Sequence, residues 1–116
     1  MRVYRKMNGH LLCGHWNGSP IEIGLTGVLR DVPESEACHY HDYHEYYVIL
    51  QGKGMLSVEG CNIPLEPNIV IMVQPKERHR MAWIDPDEGI QWVVIKERSV
   101  PNSKIVVPEP SDISIS

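Results

Sequence analysis

His39-Tyr40-His41-Asp42-Tyr43-His44-Glu45-Tyr46-Tyr47-Val48-Ile49-Leu50-Gln51-Gly52 opens on two histidines two apart, continues to a glutamate four residues later, and closes an apolar run on glycine. On an extended strand, residues i and i+2 share a face, so His39 and His41 present their imidazoles side by side. Parity puts Glu45 on that face too, yet a continuous strand would carry it about 20 Å from His39. A metal ion shared by the three therefore requires the chain to bend at Asp42-Tyr43-His44, a polar segment suited to turning. His79, which opens another strand-like run behind a proline-containing loop, is the candidate for a donor from elsewhere.

Around this stretch the chain reads as short strands separated by turn residues. Before it, Ile21-Glu22-Ile23-Gly24-Leu25-Thr26-Gly27-Val28-Leu29 is β-branched and partly alternating. After it, Gly52-Lys53-Gly54 marks a hairpin, with return strands expected over residues 55–59 and 62–66 and a turn at Pro67-Asn68. The wholly apolar run 69–73 is expected of a strand covered on both sides. Strands over 79–84 and 90–95 flank the loop Asp85-Pro86-Asp87-Glu88-Gly89. No ten-residue amphipathic pattern occurs, so the expected class is all-β, a sandwich or barrel. The expected organisation is an N-terminal arm or edge strands over 1–19, a barrel over 20–100, and a C-terminal strand with a loose tail over 101–116. Both parities of 45–50 are apolar; one face lines the interior, and the other needs a second sheet or a second subunit over it. A homodimer is the expectation.

Composition narrows the function classes. The 116 residues suit one domain, and 42% hydrophobic with 22% charged residues describes an ordinary globular chain. A net charge of −4 argues against nucleic acid as a partner, which requires a basic patch. No apolar run reaches membrane-spanning length, and Leu11-Leu12-Cys13 is too short for a signal peptide, so no membrane partner and a cytoplasmic location are expected. Cys13, Cys38 and Cys61 lack C-x-x-C spacing and read as reduced thiols, with Cys38 directed away from the face of His39.

These motifs resemble the cupin superfamily, whose members are jelly-roll β-barrels (a double-stranded β-helix). Its first motif, G-x5-H-x-H-x3–4-E-x6-G, fits His39, His41, Glu45 and Gly52, with Pro33 at the leading glycine. Its second, G-x5-P-x-G-x2-H-x3-N, fits His79, while Asn68, Gln74, Lys76 and Trp83 stand at the glycine, proline, glycine and asparagine. The resemblance runs from about Pro20 to Lys96 and suits a small single-domain member. It implies that His39, His41, Glu45 and His79 bind one divalent transition metal. Three imidazoles and a carboxylate suit Fe, Mn, Ni, Cu, Co or Zn, and octahedral coordination would leave two positions open. The bland alternative is that these polar side chains line a wet barrel mouth.

Around that site, Tyr43, Tyr47 and His44 are candidates for acid–base catalysis; His44 also reads as a ligand, a partner of a ligand, or a solvent-facing turn residue. Tyr40, Met81, Trp83 and Trp92 are candidate pocket-lining residues, with ordinary core filling as the alternative for each and the preferred reading for Met81 and Trp92. Arg30, Lys76, Arg78 and Arg80 lie within sequence reach of the rim. The expected function is a metal-dependent enzyme on a small chelating organic substrate. Dioxygenase-type oxidoreductase chemistry leads, followed by isomerase, decarboxylase or lyase chemistry. A non-catalytic small-molecule or metal-sensing protein and a metal-free sugar-modifying cupin are the alternatives.

Overall fold

Ten strands appear among the residues that the structure, a computed structural model, describes: 1–5, 10–26, 37–101 and 103–108. They are β1 (Leu11–Cys13), β2 (Glu22–Leu25), β3 (His39–Tyr40), β4 (Glu45–Gly52), β5 (Gly54–Val58), β6 (Cys61–Leu65), β7 (Val70–Val73), β8 (His79–Ile84), β9 (Ile90–Lys96) and β10 (Ile105–Val106). A 3₁₀ turn covers His15–Asn17; among the described residues there is no α-helix, and no helix long and apolar enough to cross a membrane. Every pairing is antiparallel, in two five-stranded sheets ordered β1-β2-β9-β4-β7 and β10-β3-β8-β5-β6. The architecture is the jelly-roll barrel. The end of the expected second strand (27–29), Arg30, Pro33 and the tail from 109 lie outside the described residues.

Alternation builds the interior. On β4, Glu45, Tyr47 and Ile49 are buried while Tyr46 and Val48 are half-exposed. Tyr47, Ile49, Val73 and Ile90 from one sheet pack on Leu56, Leu65, Met81 and Ile84 from the other. Burying such side chains supplies about 1.5–3 kcal/mol each, the main driving force for closing the two layers. Gly52 ends β4 at φ 88°, and a Cβ there would sit 2.0 Å from the Gly89 carbonyl oxygen, so the motif's last glycine is a close backbone approach. Asn68 and Lys76, at the positions of two glycines in the second motif, keep positive φ at 72° and 69°. Asparagine tolerates that region; lysine adopts it at a cost of about 1–2 kcal/mol. Cys13, Cys38 and Cys61 are not joined to one another.

Two expectations about strands are corrected. Trp83 is expected to line the pocket, and strict alternation from His79 through Met81 would turn it inward. Instead Leu56 pairs with Met81 and Met55 with Trp83, so Ala82 is an extra residue in β8. That irregularity reverses the alternation: Ile84 turns inward, and Trp83 is 41% exposed. Second, β7 is an edge strand and is not covered on both sides; Val70 and Met72 are 60% and 45% exposed.

The register explains what β7 contributes. Val48 is opposite Val70 and Val93, Tyr46 is opposite Met72 and Ile95, and Ile23 and Leu25 are opposite Ile95 and Val93. The outer face of the first sheet therefore carries apolar side chains across four strands, without a charge among these positions.

Candidate metal centre

The bend at Asp42–Tyr43 moves the chain between sheets: β3 ends at Tyr40 in one, and β4 begins at Glu45 in the other. This resolves the distance problem of a continuous strand. His39 lies directly opposite His79 across the β3–β8 pairing, and His41 follows at the start of the bend. One ring nitrogen from each of His39, His41 and His79 lies within 4.8 Å of the others, and all three residues are buried. Glu45 approaches from the other sheet, with Oε1 3.0 Å from His79 Nε2 and Oε2 3.5 Å from His41 Nε2.

Backbone carbonyls orient the rings. Nδ1–H of His39 donates to Ala37 (2.7 Å), that of His41 to Ser103 (2.9 Å), and that of His79 to Glu77 (2.8 Å). A carbonyl only accepts, so each proton is assigned to Nδ1 and each Nε2 lone pair is left for the centre. Tyr43 stacks on His41 with 4.9 Å between ring centroids, its hydroxyl 2.7 Å from Ser103 Oγ.

Burial favours the neutral form of His39 and His41. Burial holds the His39 imidazole down at about 4, against a smaller upward effect from the Ala37 bond. Burial likewise lowers His41, opposed by Glu45. For Glu45, burial pushes upward, but the bond from His79 and the charges of His79, His41 and Lys96 together outweigh it and hold the carboxyl at about 2. An ionised carboxylate facing Nε2 lone pairs needs a cation between them, either a proton or a metal ion. Three neutral imidazoles beside one carboxylate are a donor set that fits a divalent transition ion, and the His39–His41–His79 cluster can hold one.

A cavity of about 150 Å³ opens beside the cluster, lined by His39, His41, Glu45, Tyr47, Trp92 and Lys96 among others. Tyr47 and Trp92 therefore stand at the pocket. Other candidates do not. Tyr43 is buried behind His41 and lines a separate cavity; His44 is 38% exposed and bound to Glu97 on the outer side of the bend. Met81 belongs to the core and Trp83 to the surface, and Tyr40 does not border the cavity. Of the cations within reach of the rim, Arg78 is paired with Glu59 at 2.8 Å.

Lys96 was missed. It shares parity with Trp92 and Val94 on β9, so its inward direction was legible once Trp92 was placed in the pocket. Its Nζ is 3.0 Å from Glu22 Oε2 and 3.8 Å from Glu45 Oε2. Burial acts to lower the ammonium pKa, and Glu45, Tyr43 and Glu22 together raise it above the ordinary lysine value. Ser103 could not have been found by spacing, since it lies 62 residues from His41.

Comparison with known proteins places this geometry in context. A cupin protein from Bacteroides fragilis matches 100% of this chain and 98% of its own, with TM-score 0.62 and 18% identity. Streptomyces Pac13, a nucleoside dehydratase whose variants have been solved with uridine, covers 96% of this chain and 90% of its own, with TM-score 0.65 and 13% identity. At those identities the likeness concerns the fold alone. The glucose-6-phosphate isomerase of Pyrococcus abyssi is 33% identical over 96 residues, covering 66% of this chain and 50% of the isomerase. The chain thus spans about half the length of that curated relative. Residues 29–96, which contain the His-x-His stretch, its glutamate and His79, match the family described as Cupin domain. The chain belongs to the cupin family.

Proposed function

We propose that the chain is a metal-dependent enzyme acting on a small oxygen-bearing organic molecule, with His39, His41, Glu45 and His79 holding one divalent transition ion. The observation that carries this reading is the convergence of three buried imidazoles, each with Nδ1 tied to a carbonyl, on a buried carboxylate. When bound, the ion supplies Lewis acidity toward a carbonyl or hydroxyl oxygen. The chain's own residues do the rest. Glu45 reduces the charge at the centre, Trp92 and Val94 supply an apolar wall, and Tyr47 is the proton carrier. The Tyr47 ring lies 6.3 Å from that of His79, within the same cavity.

Isomerisation or elimination is favoured over the dioxygenation that the motif alone suggested. The cavity wall carries charged groups rather than a purely apolar lining. The curated relative at 33% identity is an isomerase, whose reaction needs no external oxidant. The test is proton NMR in D₂O of the manganese- or zinc-loaded protein with α-hydroxy aldehydes and ketones, beside an oxygen electrode. Metal-dependent exchange of the α-proton without oxygen uptake is expected. Oxygen uptake would favour a dioxygenase, turnover without metal a metal-free sugar-modifying cupin, and ligand binding without turnover a sensor.

We also propose that a second copy of the chain covers the outer face of the first sheet. The apolar positions span three residues on each of four strands, at ~3.3 Å per residue and ~4.8 Å between strands, an apolar plan area on the order of 200 Å². A face without charge offers nothing to a charged partner, whereas under two-fold symmetry it complements itself. A stable dimer buries roughly 800 Å² per subunit, so the interface would extend beyond this patch. Sedimentation at micromolar concentration is expected to give a dimer, and Val48→Glu a monomer; a monomeric wild-type chain contradicts the proposal.

A further inference from the structure

The inner face of the first sheet carries one charged row among apolar ones. Glu22 on β2, Lys96 on β9 and Glu45 on β4 are direct cross-strand partners, so the lysine stands between two carboxylates. The next inward row is Gly24, Val94 and Tyr47. The charged row lies level with the metal centre because Glu45 belongs to both.

Lysine has three N–H donors. Glu22 Oε2 at 3.0 Å takes one; Glu45 Oε2 at 3.8 Å lies beyond hydrogen-bond reach. Among the described residues no further acceptor is assigned to the ammonium, although its side chain is only 19% exposed and lines the cavity. Two donors are therefore presented where a ligand of the ion would lie. Charge points the same way. With a divalent ion in place, Lys96 and the ion stand against the two carboxylates Glu22 and Glu45, leaving a net charge of +1 among these groups.

From this row we infer that Lys96 is a specificity-determining residue that selects small hydroxy- or oxo-carboxylates, binding the carboxylate while an adjacent oxygen turns to the ion. The inference rests on the metal-enzyme reading above and names its substrate class. The cavity, about 150 Å³, has the dimensions of a small-molecule site rather than a macromolecular one. If Lys96 only neutralised its two neighbours, neither ligand charge nor ligand type would matter to it.

The experiment uses the full chain loaded with cobalt(II), with oxalate as the probe, followed by calorimetry and the visible d–d spectrum. Oxalate is expected to bind and perturb the spectrum, and Lys96→Gln to weaken it at least ~10-fold, while cobalt affinity changes less than ~3-fold. Lys96→Arg, which keeps the charge, is expected to recover most of the binding. A measurement needing no variant accompanies these: glycolate is expected to bind the wild-type chain at least ~10-fold more tightly than ethylene glycol. Cobalt uptake with no preference for glycolate, or with oxalate affinity unchanged in Lys96→Gln, overturns this inference alone. Failure to take up cobalt overturns the metal reading, and the inference with it.

Discussion

His79→Ala is expected to lower affinity for a divalent transition ion by at least ~100-fold, because replacing even a residue that merely supports a ligand costs 10–100-fold. His79 is 1% exposed and sits opposite His39, with its Nε2 at 3.0 Å from Glu45. Its removal takes away a metal donor and leaves the buried Glu45 carboxylate without its nearest polar neighbour. The metal-free variant should therefore also lose about 1–3 kcal/mol of stability, the range for leaving a buried polar group without its hydrogen-bond partner. His44→Ala is the matched control. That ring is on the outer side of the bend, tied to Glu97, and its loss should leave metal affinity within ~3-fold. Metal competition against a chromophoric chelator, with urea unfolding of the same samples, reads both effects. A His79→Ala chain that binds metal like wild type would remove His79 from the site.

Acid is expected to destabilise the metal-free chain in two overlapping steps. The His39 imidazole titrates at about 4 in the folded chain, against about 6.5 when unfolded, so the unfolded chain binds more protons between those values. Stability is then intact above pH 6.5 and falls as pH drops toward 4, by at most about 3 kcal/mol for a shift of this size. Glu45 adds a second step. Its carboxyl titrates at about 2 when folded and about 4.5 when unfolded, so its contribution is present above pH 4.5 and is lost as pH falls toward 2. Bound metal requires neutral imidazoles, so metal should dissociate over the same acid range. His39→Gln is expected to flatten the upper step and leave the lower one. Urea midpoints at half-unit intervals from pH 7.5 to 2 measure this, and an unchanged profile in His39→Gln contradicts it.

Local sequence carried much of this site. The i, i+2 spacing of His39 and His41 fixed their common face, and the excess distance to Glu45 demanded a bend, which occurs at Asp42–Tyr43. Apolar runs and turn residues located the strands because alternation and turn chemistry are local properties. What failed was non-local. Trp83 left the pocket because the extra residue Ala82 reverses parity in β8, and nothing in the string His79-Arg80-Met81-Ala82-Trp83 marks the reversal. Tyr43 and His44 sit at the bend, where parity has no meaning; one stacks behind His41 and the other faces Glu97. The Glu22–Lys96–Glu45 row is set by register between three strands, and the Ser103 carbonyl reaches His41 from a segment near the end of the described chain. Both depend on which strands become neighbours, information that no single stretch of residues contains.

X-ray absorption of the zinc-loaded chain examines the central claim at the atoms concerned. One ion per chain is expected, with nitrogen and oxygen ligands at about 2.0–2.2 Å and multiple scattering from three imidazoles. A spectrum with fewer than two imidazoles, with sulfur at about 2.3 Å, or with no stoichiometric ion would contradict the account.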